Sequence, residues 1–193
     1  PIPLLTAIAA KTSRIEVGTG VIDMRYENPL YLAEEAAALD ILADGRLALG
    51  VSRGSPESAL RGYEAFGYTG SQDPRGADIA RAKFDQFLRA IDGDRIAPGN
   101  PAVVGPGQML PIEPRSESLR DHVWWGSATR DSAEWAGRLG LNLMSSTALT
   151  EDAGMPFHEL QAEQILRFRE AYRAAGHKCA PRFSGSRSIF PIV

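Results

Sequence analysis

The sequence has a single cysteine, Cys179, so it cannot form a disulfide within the chain. This excludes a secreted scaffold built on disulfides and favours a reducing, cytoplasmic location. The sequence has no apolar run of about 18 residues, and we therefore expect no membrane-spanning helix. The chain does not open with a charged segment followed by an apolar one, so a signal peptide is not expected either.

An excess of charge of one sign is also absent, because 21 basic and 24 acidic residues give a formal net charge of −3. A balanced chain has no overall attraction to nucleic acid, so any anion site is expected to be local. The glycine-rich GxGxxG and Walker A fingerprints do not occur, which disfavours the nucleotide sites that they mark. The three histidines, His122, His158 and His177, are scattered without HExxH spacing, and we expect no metal site.

Short apolar runs alternate with helical patterns along the chain, which predicts parallel strands joined by helical crossovers in an α/β protein. We predict strands at 15–22, 46–51, 122–125, 141–144 and 188–193. Helices are predicted from an Asn28 cap to a stop at Gly45, and at 77–92, 132–139 and 158–175. Five strands are fewer than a closed (β/α)₈ barrel needs, so an open doubly wound sheet and an incomplete barrel both fit.

Residues 93–122 are predicted to form a long loop. Five prolines lie between Gly93 and Pro114, and they disfavour a helix there. Strand–helix alternation resumes behind the loop, so we expect one domain over residues 1–193 rather than two domains and a linker. Loops of this length in a compact domain usually carry or cover a site, which makes this segment a candidate cover.

The candidate functional residues directly follow predicted strands, at the carboxyl ends where α/β proteins bind ligands. Gly126, Ser127, Ala128 and Thr129 precede a helix, and Ser132 lies one turn further on. Free N–H groups and hydroxyls at a helix N-terminus suit a phosphate. An ordinary N-cap by Ser or Thr accounts for the same pattern, and such caps are common.

Two other strand ends carry candidate residues. Arg53 follows the strand at 46–51, and its guanidinium could pair with the same phosphate through two hydrogen bonds or simply hold a loop. The segment Gly18–Gly20 has little side-chain bulk, which either lets a flat ligand approach the backbone or marks a simple bend.

Four stretches of the chain resemble the bacterial luciferase-like flavin monooxygenase family. They are TSRIEVGTGV, NPLYLAEEAAALDILADGRLALGVSRGSPE, VWWGSATRDSAEWAGRLGLNLM and SRSIFPIV. The second is the most specific, because a helix, a Leu-Asp pair, a Gly-Arg pair and a strand ending in arginine follow in family order. The resemblance implies an incomplete (β/α)₈ TIM barrel of the luciferase-like type, without its first two strands and its last. The protein is then either longer in nature or a truncated form.

The resemblance implies that a flavin binds at the strand ends. Gly18, Thr19 and Gly20 would line the isoalloxazine ring, at a place where family members often have a non-proline cis peptide. Ser52 would lie near the reactive edge of the ring. The histidine that luciferase uses in its chemistry belongs to a region without a counterpart in this chain, so no catalytic residue is assigned.

The resemblance also implies where the flavin phosphate binds. Arg53 would pair with it, and the N–H groups of Ala128 and Thr129 would donate hydrogen bonds to it. The hydroxyls of Thr129 and Ser132 would add further contacts. These residues coincide with the anion site that the local sequence suggests.

The implied activity is that of a monooxygenase that uses reduced flavin and oxygen to oxidise a small organic substrate. FMN is the expected cofactor, and NAD(P)H is the reductant, directly or through a flavin reductase. A deazaflavin-dependent oxidoreductase and a non-catalytic flavin-binding relative are the alternatives. Asp23 and Tyr26 are candidate substrate contacts. The exposed strand edges of an incomplete barrel invite pairing, and with the family's habit this predicts a homodimer.

Overall fold

The computed structural model describes residues 1–54, 57–146, 154–187 and 191. The chain divides into two compact units, Pro1–Arg120 and Asp121–Val193. Both units combine helices with parallel strands, which confirms the predicted α/β class. The single domain predicted over residues 1–193 stays a prediction. Within the described ranges, no helix has the length and hydropathy needed to cross a membrane.

The first unit contains most of the elements. In chain order they are α1 (Ile2–Ala9), β1 (Val17–Gly18), β2 (Ile22–Asp23), α2 (Pro29–Leu42), β3 (Leu47–Ser52), a 3₁₀ helix (Gly62–Phe66), α3 (Ala77–Ile91), β4 (Ala97–Pro98), α4 (Pro101–Val104) and β5 (Met109–Leu110). A second 3₁₀ helix follows at Leu119–His122. Neither 3₁₀ helix was expected from the sequence, because such short turns leave no periodic pattern.

The strand predicted at 15–22 is two short strands that pair with the same partner. Val17 of β1 lies opposite Leu47, and Asp23 of β2 lies opposite Ser52, both in parallel register with β3. The chain leaves the ladder between them. As a result, Gly20 is not part of the ladder that pairs β1 and β2 with β3.

The two long helices of this unit form where the sequence predicts them. The Asn28 side chain caps α2 by accepting hydrogen bonds from the N–H groups of Leu30 and Tyr31, at 3.0 and 3.2 Å. Gly45 follows the helix with a φ of +69°, the left-handed conformation expected of a stop. The apolar residues that recur at helical spacing in the sequence of these two helices are all buried: Leu32, Ala36, Leu39, Ala43, Ala80, Phe84, Phe87, Leu88 and Ile91.

The proline-rich segment differs from the extended loop predicted there. β4 and β5 form a small antiparallel hairpin, and the single helical turn α4 lies between them. Asn100 caps this turn by accepting a hydrogen bond from the N–H of Ala102 at 3.0 Å, and Pro101 occupies the first helical position. Proline is favourable at that position because its missing N–H needs no partner there, so the prolines do not exclude a turn of helix.

The second unit contains β6 (Val123–Ser127), α5 (Arg130–Arg138), β7 (Asn142–Ser145), α6 (Phe157–Ala174) and β8 (Phe183–Gly185). All three strands are parallel, with β7 in the middle. The short, exposed strand β8 was not predicted, because its three residues show no alternation of burial. The strand predicted at 188–193 lies outside the described residues, except for Pro191.

Candidate functional site

The end of β1 provides an open stretch of backbone. Thr19 is buried, and its hydroxyl donates a hydrogen bond to the carbonyl of Gly50 in β3 at 2.7 Å. Gly20 is exposed, and a Cβ added there would meet no atom within 4 Å. The peptide bond between Gly20 and Val21 is cis, as the resemblance implies. The segment Gly18–Gly20 therefore combines an anchored strand end with free space above the backbone.

Ser52 and Arg53 lie at the end of β3 and have contrasting surroundings. The Ser52 hydroxyl accepts a hydrogen bond from the N–H of Gly54 at 2.8 Å, which orders the turn. Arg53 is half-buried, and within the described part of the chain its guanidinium makes no hydrogen bond or ion pair. Burial lowers the pKa of Arg53 from its ordinary value, and the neighbouring guanidinium of Arg75 lowers it further. An anion bound here would relieve both effects.

The two predicted substrate contacts belong to a polar network beside this strand end. Asp23 is bound by the buried guanidinium of Arg25, with Nη2 2.6 Å from Oδ2, and these hydrogen bonds raise the pKa of Arg25. The Tyr26 hydroxyl donates a hydrogen bond to Glu57 at 2.5 Å, which raises the pKa of Tyr26. The polar groups of both residues thus already have partners within the protein, and a substrate role for them stays a prediction.

Arg25 and Glu57 were not recognised as part of this network from the sequence. Arg25 could have been found, because aspartate side chains often accept a hydrogen bond from the backbone N–H two residues on, as Asp23 does from Arg25 at 2.9 Å in the turn after β2. Glu57 carries no such signal, since it lies 31 positions from Tyr26. Two observations require glycine at position 54 beside this network. Its φ is +92°, which L side chains rarely adopt, and a Cβ there would clash with the Asp23 carboxylate.

In the second unit, the segment Gly126–Ser132 forms the start of α5. Thr129 caps the helix, since its Oγ1 accepts a hydrogen bond from the N–H of Ser132 at 3.2 Å. The Ser132 hydroxyl in turn accepts from Nε1 of Trp125 at 2.8 Å. The ordinary N-cap considered above is therefore present. It does not exclude an anion, because the first N–H groups of a helix have no partner within the helix.

The buried part of this segment is held by hydroxyl and amide groups. Ser127 is buried, and its hydroxyl donates to the carbonyl of Thr129 at 2.8 Å, while Ala128 is half-buried. Gln164 of α6 is fully buried and donates to the same Thr129 carbonyl at 3.1 Å. Gln164 was not singled out from the sequence. The available signal was a polar residue placed midway in the i, i+4 series formed with Leu160 and Phe168.

The predicted site residues thus lie in two groups. Gly18, Thr19, Gly20, Ser52 and Arg53 belong to the first unit, together with Asp23 and Tyr26. Gly126, Ser127, Ala128, Thr129 and Ser132 belong to the second. The convergence of Arg53 with Gly126–Ser132 on one phosphate stays a prediction, and so does the role of residues 93–122 as a cover.

Comparison with known proteins identifies the family. The sequence profile of the luciferase-like monooxygenases matches residues 1–192. The chain is 42% identical over 56 residues to 4-hydroxyprotoasukamycin monooxygenase of Streptomyces nodosus subsp. asukaensis, a stretch covering 29% of this chain and 15% of that protein. It is 42% identical over 48 residues to the oxygenase component of the flavin-dependent trigonelline monooxygenase of Acinetobacter baylyi, covering 25% of this chain and 13% of that protein.

Solved structures show the same fold. The monooxygenase RslO1 from Streptomyces bottropensis superimposes with a TM-score of 0.64 at 25% identity, over 93% of this chain and 51% of that one. Two more distant structures show the fold alone. One is the oxygenating constituent of 3,6-diketocamphane monooxygenase of Pseudomonas putida, in complex with FMN (TM-score 0.64, 15% identity, 96% of this chain, 51% of that one). The other is the coenzyme F420-dependent tetrahydromethanopterin reductase of Methanopyrus kandleri (TM-score 0.61, 18% identity, 95% of this chain, 52% of that one).

The chain spans about half the length of these solved structures. The predicted fold class, an incomplete barrel of the luciferase-like type, is confirmed by them, and so is the family resemblance. Together with the profile match over nearly all of its residues, this means that the chain belongs to the luciferase-like monooxygenase family.

Proposed function

We propose that this chain binds FMN and forms part of a monooxygenase that oxidises a small organic substrate with reduced flavin and oxygen. Family membership supports an oxidoreductase, and the Acinetobacter relative is named as flavin-dependent. Bound flavin would supply the redox chemistry, while the residues of the protein bind it, orient it and exclude water. Proteins of this fold include one solved with FMN and one that depends on coenzyme F420, so the fold admits either cofactor, and the titration below separates them.

The half-buried Arg53 is the observation that carries this proposal. Its guanidinium lies among other guanidinium groups and makes no hydrogen bond or ion pair in the described part of the chain, although the Asp73 carboxylate favours its charged form. Burial of a charge without a bonded anion costs folding free energy that a bound phosphate would recover. The planar guanidinium can hold a phosphate through two parallel hydrogen bonds, as lysine cannot. Arg53 is therefore assigned to the ribityl phosphate.

The remaining contacts follow from the shape of the two strand ends. Within Gly18–Gly20, the open backbone at Gly20 fits the flat isoalloxazine ring, and Ser52 would lie near its reactive edge. In the second unit, the N–H groups of Ala128 and Thr129 would donate to the phosphate. The hydroxyls of Thr129 and Ser132 accept hydrogen bonds from the protein, and each retains its own hydrogen for the same phosphate.

A titration with FMN, followed by quenching of flavin fluorescence, tests the cofactor and Arg53 together. The wild-type chain is expected to bind with a Kd in the micromolar range or below, at about −8 kcal/mol or better. Arg53→Ala should weaken binding about tenfold or more, which corresponds to about 1.4 kcal/mol. Arg14→Ala changes the net charge equally at an exposed position and should leave the Kd within about twofold.

Each outcome of this titration has a distinct meaning. Binding that is unaffected by Arg53→Ala would keep the flavoprotein and remove Arg53 from the phosphate site. If the folded chain binds a deazaflavin but not FMN, the monooxygenase proposal fails and the deazaflavin-dependent oxidoreductase takes its place. A folded chain that binds neither cofactor contradicts a flavin function.

We further propose that reduced flavin comes from a separate reductase that oxidises NAD(P)H. The Acinetobacter relative is named as an oxygenase component, which implies a second component for that protein. NADH oxidation by the chain with FMN should therefore not exceed that of FMN and NADH without protein. Oxidation well above this background in the absence of a reductase would instead show direct use of NADH.

A further inference from the structure

Gln164 is a fully buried polar residue on α6 whose side-chain amide reaches across the second unit. Its Nε2 donates a hydrogen bond to the carbonyl of Thr129 at 3.1 Å and lies 3.5 Å from the carbonyl of Ser127. Its Oε1 accepts a hydrogen bond from the Ser145 hydroxyl at 2.5 Å. One side chain thus connects the ends of β6 and β7 with the first residue of the α5 cap.

Only an amide can make this set of contacts. The NH₂ group serves carbonyl oxygens on one side, while the amide oxygen serves a hydroxyl on the other, and a carboxylate or an aliphatic chain provides one of these functions or neither. Loss of the amide removes one of several donors from each carbonyl, because the Thr129 carbonyl also accepts from the N–H of Ala133 at 3.1 Å and the Ser127 carbonyl from the N–H of Ser146 at 3.0 Å. The position therefore selects glutamine for its hydrogen bonds, within a helix face that is otherwise packed with Leu160, Phe168 and Tyr172.

The direction of these bonds fixes the direction of the opposite backbone groups. In a trans peptide the C=O and the following N–H point in opposite directions. The carbonyls of Ser127 and Thr129 face the Gln164 amide, so the N–H groups of Ala128 and Arg130 point away from α6. The Ser127 hydroxyl reinforces this orientation by donating to the same Thr129 carbonyl at 2.8 Å.

We infer that Gln164 is a positioning residue for the phosphate of the cofactor, acting through the backbone of residues 127–130. This inference rests on the proposed flavin function, and within it Gln164 helps to hold the N–H of Ala128, one of the two proposed phosphate donors, in place before the ligand arrives. Its loss should therefore affect a flavin that carries a phosphate and spare one that does not. A residue that serves only the packing of α6 would not distinguish the two flavins.

The test compares the affinities of the chain for FMN and for riboflavin, which lacks the phosphate. Gln164→Leu is expected to weaken FMN binding about tenfold and to leave riboflavin binding within about twofold. The matched control is Gln161→Leu, one turn earlier on α6. Gln161 is also buried, but its amide lies 3.5 Å from the carbonyl of Ser186 instead, so its loss should change neither affinity.

A milder variant covers the case in which Gln164→Leu does not fold. Ser145→Ala removes the hydroxyl that orients the Gln164 amide and leaves the glutamine in place. It should weaken FMN binding about threefold, again without an effect on riboflavin. Equal losses for both flavins, or no loss for FMN, would overturn the inference.

Failure of the proposed function is recognised separately, because the wild-type chain would then bind neither flavin. In that case inorganic phosphate replaces FMN as the probe, and the amide resonances of Ala128 and Arg130 report its binding. Shifts of these resonances in the wild type that are lost in Gln164→Leu support the positioning role. Identical behaviour of the two chains contradicts it.

Discussion

Gly18 and Gly20 are two positions apart at the end of β1, and their surroundings are opposite. A Cβ on Gly18 would clash with the backbone oxygen of Ala48 in β3, whereas a Cβ on Gly20 would meet nothing within 4 Å. The close approach of two strands therefore requires glycine at the first position. No contact within the described protein requires it at the second, which is consistent with a ligand above Gly20.

Alanine substitutions at the two glycines should separate stability from binding. Gly18→Ala is expected to lower the free energy of unfolding by about 1–3 kcal/mol, because backbone atoms must move to admit the methyl group. Gly20→Ala should change it by less than about 0.5 kcal/mol and weaken FMN binding instead. Urea unfolding and the FMN titration measure these effects. Equal destabilisation by both substitutions would contradict the interpretation.

At the scale of elements, α3 is attached to the segment after β2 by a buried lysine. The Lys83 ammonium donates a hydrogen bond to the carbonyl of Arg25 at 2.7 Å and lies 2.8 Å from the centre of the Tyr68 ring. Burial lowers the pKa of Lys83 to about 8, although the carboxylate of Glu27 opposes this shift. The Lys83 side chain therefore binds its proton less tightly in the folded state than in the unfolded chain.

This contact predicts a specific pH dependence of stability. The pKa of Lys83 is about 8 in the folded protein and about 10.4 in an unfolded chain, so the unfolded state binds the proton more tightly between these values. The free energy of unfolding should consequently increase as the pH is raised from about 8 to about 10.4.

Urea unfolding at pH 7.5 and pH 9.5 measures this effect. The wild type should gain roughly 1–2 kcal/mol more between these pH values than Lys83→Met, in which the titrating group is absent. Lys11→Met removes an exposed lysine and should behave like the wild type. A gain in Lys83→Met as large as that of the wild type would rule out Lys83 as the source.

For the whole molecule, the first two helices expose large apolar side chains. Leu4 of α1 is 67% exposed, and Tyr31 and Leu42 of α2 are 67% and 66% exposed. Tyr31 and Leu42 are eleven residues apart, which is about three helical turns, so they share one face. Exposed apolar side chains that are scattered singly are normal on protein surfaces, so these residues are candidate contacts, and the homodimer expected from the family stays a prediction.

Sedimentation velocity should accordingly show a species of about twice the chain mass of 20.9 kDa. Leu42→Glu should shift the equilibrium towards the monomer by about tenfold or more, because a buried charge without a partner is costly. Leu60→Glu introduces the same charge at a side chain that is 92% exposed outside these helices, and it should leave the dimer intact. A wild-type chain that stays monomeric at about 100 μM would contradict the dimer, since such an interface would be weaker than about −5 kcal/mol.

Local signals explain what could be predicted from the sequence. The cap at Asn28, the stop at Gly45 and the apolar spacing of α2 and α3 involve residues within a few positions of each other, and these elements were confirmed. Helical spacing predicts a buried stripe of Ile165, Phe168, Tyr172 and Ala175 in the helix expected at 158–175, and this was only partly right. Phe168 and Tyr172 are buried, but Ile165 is half-buried and Ala175 is exposed. The buried glutamines of that face were missed because a periodicity argument counts apolar residues only.

The order of strands and helices and the family could be read from the chain, since each depends on short contiguous patterns. The anion site expected at two strand ends stays a prediction. The tertiary structure decided the break in the first strand, the hairpin in the proline-rich segment and the partner of each polar side chain. Tyr26 bonds to Glu57 across 31 positions and Gln164 bonds to Thr129 across 35, while Arg53 makes no hydrogen bond or ion pair within the described residues. Such pairings depend on which segments folding brings together, and local sequence carries no record of them.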